Sequence, residues 1–274
     1  MSTRPIFYIS DQTGITVETL GNSLLKLYPT VKTSITILPF IDSLDKAINA
    51  VEIINESQIK SSVKPIVFLS IINPLLRDLF RSADFIVLDL FESFLEPLTK
   101  ELKVSPSSEY ARSHNEVESA EYETRMDATN FALGADDGIT LKDYDKADII
   151  LMGVSRSGKT PTCLFLALRY GIYAANYPLT EEDLEESCIP RSLLKHRNKL
   201  YGLYITPERL RNLRIVRRGE GRYSSQQQVN FECRSALTLF QRNHISYSDS
   251  TFASIEEVAS RIFSSTGLKR RINF

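Results

Sequence analysis

The chain has 274 residues, of which 42% are hydrophobic and 24% charged, with a formal net charge of -1. That balance fits one large or two ordinary globular domains, and it excludes bulk attraction to nucleic acid or an anionic membrane, so any phosphate binding must be local. Three scattered cysteines (Cys163, Cys188 and Cys233), no apolar run of membrane-spanning length and no signal-peptide layout argue against a disulfide framework, a zinc cluster or export, and for a cytoplasmic protein.

In chain order, Ile6–Ile9 reads as a short strand and Val17, Leu20, Leu24 and Leu27 mark a helix after it. Ile35–Leu38, Ile66–Leu69 and Phe85–Leu88 read as further strands, separated by helices over Leu44–Ile59 and Pro74–Arg81 and followed by one near Phe91–Leu102. Repeated strand–helix alternation with short connections predicts a mostly parallel sheet covered by helices. The first domain is therefore expected to span residues 1–103 as an open parallel-sheet α/β unit. Between Val104 and Ser119 the apolar periodicity disappears, so residues 104–138 read as a linker with a connecting helix over about Ala120–Leu133 and an Asp-Gly turn at Ala135–Gly138.

The alternation restarts for a second α/β domain over 139–274. Ile149–Met152 is apolar, and Gly153-Val154-Ser155-Arg156-Ser157-Gly158-Lys159-Thr160 directly follows it and fits G-x-x-x-x-G-K-[ST]. Strand, glycine loop and helix start are the parts of a phosphate-binding loop: backbone N–H groups and a helix N-terminus face the anion. Lys159 would reach the terminal phosphate and the Thr160 hydroxyl would hold Mg. Apolar positions from Cys163 to Leu168 then predict a helix, and Ile172–Ala175, Leu200–Ile205 and Ile245–Tyr247 read as strands. Thr206-Pro207 has the form of a helix cap, and Ser254 to Glu257 has capping-box spacing ahead of a terminal helix through Ile262.

Several residues have a chemical reading beside a plain one. Arg156 either stabilises charge on a transferring phosphoryl group or points to solvent or a local carboxylate. Asp136 and Asp137 either serve as proton acceptor and Mg organiser or form a solvated turn. Ser10, Asp11 and Thr13, after the first strand, either contact a ligand or form a turn capped by Thr13 or Thr16. Arg209, Arg211, Arg214, Arg217, Arg218 and Arg222 form a basic run, ordinarily a solvated helix face, that also suits an acidic or phosphorylated partner. No carboxylate ends the strand at Leu200–Ile205, which disfavours a motor ATPase or GTPase and leaves room for a kinase drawing its acid from Asp136 or Asp137. His114, His196 and His244 are isolated and carry no assigned role.

Six blocks in order, FYISDQTGITVETLG, ADDGI, ILMGVSRSGKTPT, AANYPL, GLYITPERL and SIEEVASRI, together resemble the phosphoenolpyruvate synthase regulatory proteins, relatives of the pyruvate, phosphate dikinase regulatory proteins. The resemblance spans nearly the whole chain, and Gly158 favours the synthase branch. It implies a bifunctional enzyme. An ADP-dependent kinase inactivates phosphoenolpyruvate synthase on a threonine and releases AMP; a phosphate-dependent phosphorylase removes the group as pyrophosphate. The loop from Gly153 to Thr160 carries over as the nucleotide site, with Lys159 as phosphate clamp, and Asp136 and Asp137 fall in a family block whose usual preceding histidine is here Ala135. A homodimer is left open. The competing expectations are the same chemistry on the dikinase, a kinase of a small metabolite, and a nucleotide-gated binding module.

Overall fold

Runs rich in isoleucine, valine and phenylalanine become the centres of parallel strands, because their branched side chains pack on both faces of a sheet covered by helices. A computed structural model describes residues 3–106, 117–135 and 144–272, and the chain divides into two compact units, Met1–Ser113 and His114–Phe274.

The first unit runs β1 (Arg4–Ser10), α1 (Ile15–Leu25), β2 (Thr33–Leu38), α2 (Leu44–Ser61), β3 (Ile66–Ser70), α3 (Pro74–Arg81), β4 (Ile86–Asp89) and α4 (Glu92–Leu102). Its strands pair in parallel in the order β2-β1-β3-β4, with Ile6 opposite both Ile35 and Ile66. Alternation along β1 splits the core. Phe7 and Ile9 pack with Ala47 and Ile54 of α2 and with Leu76 and Phe80 of α3, whereas Ile6 and Tyr8 face Val17 of α1. Each such buried aliphatic or aromatic side chain contributes roughly 1.5–3 kcal/mol. The loop after β1 is not closed by a threonine cap: Gly14, left-handed at φ 81°, precedes α1, and no side chain caps that helix. Instead the Ile72 N–H donates to Asp11 Oδ2 at 2.7 Å, tying this loop to the one after β3.

The second unit runs α5 (Val117–Gly134), β5 (Ile149–Gly153), α6 (Lys159–Tyr170), β6 (Ala174–Pro178), α7 (Glu181–Glu186), a kinked 3-10 segment (Arg191–Lys199), β7 (Leu200–Tyr204), α8 (Pro207–Arg218), α9 (Gln226–Arg242), β8 (Tyr247–Asp249) and α10 (Ile255–Thr266). Its parallel order is β6-β5-β7-β8, with β5 wholly buried. Ala128 and Ala132 of α5 pack with Ile149, Leu151, Cys163 and Leu166, so this helix, which in sequence follows the first sheet and precedes the second, is part of the second unit's core. Ile150 and Met152 face the other way, toward Leu210 of α8 and Val229, Cys233 and Leu239 of α9.

Two strands start later than the apolar runs suggest, at Ala174 and Tyr247, because Ile172 and Ile245 close the preceding helical turns through their N–H groups. Thr206 precedes α8 with Pro207 at the first turn, but its side chain accepts no capping bond; its N–H donates instead to Thr251 Oγ1 at 3.0 Å. The capping box at Ser254 and Glu257 is present. The α/β class and the succession of two parallel-sheet units match the sequence reading, and among the described residues no helix is long and apolar enough to cross a membrane.

Candidate active site

The Gly153–Thr160 loop lies between the end of β5 and the start of α6, at the carboxyl edge of the sheet where strand order reverses between β6 and β7. Open parallel sheets take ligands at such a place. Gly153 is required by close packing: a Cβ there would fall 2.6 Å from the Leu203 carbonyl oxygen and 2.7 Å from Ser157 Oγ. Gly158 is required by conformation, with φ at 92°, and a Cβ there would meet nothing within 4 Å. Its open side is the concavity that an anion would fill, directly at the N-terminus of α6. Thr162 Oγ1 closes the first turn by donating to the Gly158 carbonyl at 2.8 Å.

Lys159 is only 5% exposed and its Nζ donates to the Val154 carbonyl at 3.0 Å, which aligns the amine along the inside of the loop. Arg156, at the loop's apex, has left-handed backbone at φ 79°. A side chain other than glycine in that region costs on the order of 1–3 kcal/mol, and such strain collects at functional loops. Among the described residues the Arg156 guanidinium has no carboxylate partner, and it lines the cleft beside the loop.

Three contacts fix the loop from outside. Ser155 Oγ and Tyr223 OH lie 2.9 Å apart, and Ser250 Oγ donates to the Ser157 carbonyl at 2.8 Å. The third is Arg214, wholly buried, although the basic run in which it stands reads as a solvated face. It pairs with Glu232 of α9 at 2.5 Å, donates to the Ser155 carbonyl at 3.2 Å and to the Tyr223 carbonyl at 2.9 Å, and stacks 4.2 Å from the Tyr223 ring centroid. A planar guanidinium can serve all these partners at once, and lysine cannot. The rest of the run divides: Arg211 and Arg222 pair with Glu220 and Glu181, while Arg209 and Arg217 stay exposed without a carboxylate partner among the described residues.

The cleft beside the loop encloses about 670 Å³ and is lined by Ser155, Arg156, Lys159, Thr160, Asn176 and Arg217, among others. Asn176 of β6 donates from Nδ2 to Thr160 Oγ1 at 3.0 Å and so orients that hydroxyl. Sequence reasoning passed over Asn176, Tyr223 and Ser250 as site residues; a buried asparagine inside the apolar run AANYPL was the available signal for the first. Cationic side chains, backbone N–H groups and one oriented hydroxyl suit a polyanionic phosphate ligand of the size of a nucleotide.

Asp136 and Asp137 lie outside the described residues, as does His114. No carboxylate ends β7; Asp249 ends β8, where its Oδ1 accepts from the Thr251 N–H at 2.8 Å and from the Thr251 hydroxyl, holding a turn. His196 is buried against Tyr144, and desolvation lowers its pKa, so it stays neutral at physiological pH. The Cys233 thiol is pushed up to about 12 by burial and by Glu232, which makes it a packing group rather than a nucleophile. Among the described residues no three His, Cys, Asp or Glu side chains gather as a metal site.

The kinase/pyrophosphorylase family model matches residues 6–263 of the chain. The chain is also 45% identical over 269 residues to a protein of Ectopseudomonas mendocina (strain ymp), covering 98% of this chain and 99% of that one. A protein of Pseudomonas putida (strain GB-1) is 46% identical over 268 residues, and one of Laribacter hongkongensis (strain HLHK9) 44% over 269; both cover 98% of each chain. All three relatives are provisionally named phosphoenolpyruvate synthase regulatory proteins.

Proposed function

The chain belongs to the kinase/pyrophosphorylase family, and from that premise we propose that it regulates phosphoenolpyruvate synthase by moving a phosphoryl group onto and off a threonine of that enzyme. The names of its full-length relatives supply the target. The observation that carries the chemistry is the Gly153–Thr160 loop, with Lys159 aligned inside it and Arg156, which has no carboxylate partner among the described residues, at the mouth of a 670 Å³ cleft.

In the inactivating direction ADP occupies the cleft with its phosphates in the loop. The threonine oxygen attacks the β-phosphorus, the bond to the bridging oxygen breaks, and AMP leaves. The threonine proton passes to Asp136 or Asp137. In the reactivating direction an oxygen of inorganic phosphate attacks the phosphothreonine phosphorus, the threonine oxygen regains a proton from the same carboxyl group, and pyrophosphate leaves. Lys159 and Arg156 offset the charge that spreads over the phosphoryl oxygens in both directions. A magnesium ion, held by the Thr160 hydroxyl and the phosphates themselves, would supply further charge neutralisation; one hydroxyl, with no acidic cluster among the described residues, suits an ion that keeps most of its water.

The test uses purified protein with ADP and the synthase, assayed beside the dikinase. AMP and phosphorylated synthase are the expected products, with pyrophosphate appearing when inorganic phosphate is added to the phosphorylated form. Transfer supported by ATP and not by ADP overturns the proposal, as does preference for the dikinase.

A further inference from the structure

A second pocket adjoins the same loop. It encloses about 250 Å³ and shares Arg156, Gly158 and Leu213 with the larger cleft. The large cleft lies on the β6 side of β5, lined by Asn176 and Pro178, whereas the small one lies on the β7 and β8 side, lined by Ile205, Ser250 and Thr251. Helix α8 runs along both, placing Arg209 over the small pocket and Arg217 over the large one, with Leu213 between them at successive four-residue steps.

The small pocket is built rather than incidental. Its wall from β8 is fixed to the Gly153–Thr160 loop, since the Ser250 hydroxyl lies 2.8 Å from the Ser157 carbonyl and 2.9 Å from the Tyr204 carbonyl and shares its one proton between them. Thr251 Oγ1 accepts the Thr206 N–H at 3.0 Å, which anchors the same turn to the start of α8. Two guanidinium groups, Arg156 and Arg209, border the pocket with no carboxylate partner among the described residues. Such a pair calls for an anion. At 250 Å³ the pocket falls below the roughly 300–1,000 Å³ of small-molecule sites, which suits one phosphorylated side chain better than a nucleotide. At its rim Phe252 is 92% exposed, an aromatic face offered to a polypeptide.

We propose that this pocket is the protein-substrate subsite: it takes the phosphothreonine side chain, with Arg209 clamping the phosphate and Phe252 packing on the flanking chain. The proposal rests on the phosphoryl-transfer reading above. Two pockets on either side of a shared Arg156 fit a reaction in which attacking and leaving oxygens lie in line across the transferring phosphorus. Arg156 then touches that group whichever pocket it leaves, while Arg209 serves only the threonine side.

The experiment is a calorimetric titration of a phosphothreonine peptide into the full-length protein saturated with AMP, a nucleotide that leaves the transferred phosphoryl position free. The peptide should bind without displacing AMP, and its unphosphorylated form should bind far more weakly. Arg209→Met should weaken phosphopeptide binding roughly ten- to a hundredfold, the range of one charge-assisted contact, and leave the AMP Kd unchanged. Arg209→Lys should recover part of the loss. Displacement of AMP by the peptide, absence of peptide binding, or equal binding by Arg209→Met and wild type each overturns the proposal. Turnover of the synthase by the wild-type protein reads the parent proposal and the titration reads only this pocket, so the two fail separately.

Discussion

The two sheets share one topology and differ in the chemistry of a single loop. In each unit the first strand pairs with the second on one side and the third on the other, and the fourth follows the third. In each, a left-handed glycine leads from the first strand into a helix without a side-chain cap: Gly14 at φ 81° and Gly158 at φ 92°. Both units therefore have the switch point at which parallel sheets take ligands. Between strand and glycine, however, the first unit carries Asp11, whose carboxylate is spent on the Ile72 N–H. The second carries Arg156, and Lys159 follows its glycine. An acidic side chain that ties its own loop repels phosphate, whereas two cations at a helix N-terminus attract it. Topology supplies the place; a few side chains decide its use.

The sharpest way to break the comparison is to remove the proton acceptor proposed above to serve the cationic loop. Asp136→Asn and Asp137→Asn should both fold and bind ADP, and one of them should lose about 10²–10⁴-fold in both directions of transfer. Full rates in both variants would reduce the pair to a turn. Lys159→Ala should cost about 10²–10³-fold in both directions, because one preorganised charge at the shared phosphoryl group is lost while alanine suits a helix start. Near-normal transfer by a folded Lys159→Ala protein would move the site away from this loop.

A buried ion pair in each unit gives the next contrast. Arg214→Met leaves Glu232 without its partner and the Ser155 carbonyl without a donor, and loss of one member of a buried pair costs about 3–5 kcal/mol. The midpoint of denaturant unfolding should fall accordingly, and ADP affinity with it. Arg77 and Asp89 form the matching pair of the first unit, 2.7 Å apart and largely buried, joining α3 to the end of β4. Arg77→Met should cost stability and leave ADP affinity unchanged. Equal loss of ADP affinity in both variants would mean that Arg214 acts through global stability and not by bracing the loop.

How far the sequence could be read follows the range of the forces involved. Every strand and helix of the first unit was legible, because short apolar runs and helical periodicity are local signals. The loop from Gly153 to Lys159 was legible because its residue types and spacing form a local pattern directly after an apolar run, although the packing that requires Gly153 comes in part from the Leu203 carbonyl of β7. Arg214 was not: it stands four residues after Leu210 on the face of α8 turned to the core, but the carboxylate that permits its burial lies on another helix. The pairing of Asn176 with Thr160 is likewise tertiary, made across β6 and α6. The caps expected at Thr13 or Thr16 and at Thr206 are not made: left-handed Gly14 precedes α1, and Thr206 precedes α8 with no capping bond from its side chain and its N–H on Thr251 Oγ1.

The smallest expected effect belongs to Asp11, where the comparison can be tested from the acidic side. Burial raises the pKa of its carboxyl above the ordinary 3.8, with the Ile72 N–H acting in the opposite direction and more weakly. A carboxyl whose folded value is raised binds protons more readily in the folded state, so its contribution to stability is fullest below the unfolded pKa. It declines as pH rises from the ordinary aspartate value through the raised folded one. Asp11→Asn abolishes that titration and keeps an oxygen in place to accept from Ile72. Stability at neutral pH should therefore stay within about 0.5 kcal/mol of wild type or rise slightly, and the decline just above pH 4 should flatten. Asp11→Ala, which removes the acceptor and leaves the Ile72 N–H short of a partner, should cost about 1 kcal/mol instead. Chemical denaturation at pH 4, 5 and 7 separates the two variants. Both should bind ADP as wild type does; a change in ADP affinity on Asp11→Asn would mean that the acidic loop, too, takes part in the nucleotide chemistry assigned to its counterpart.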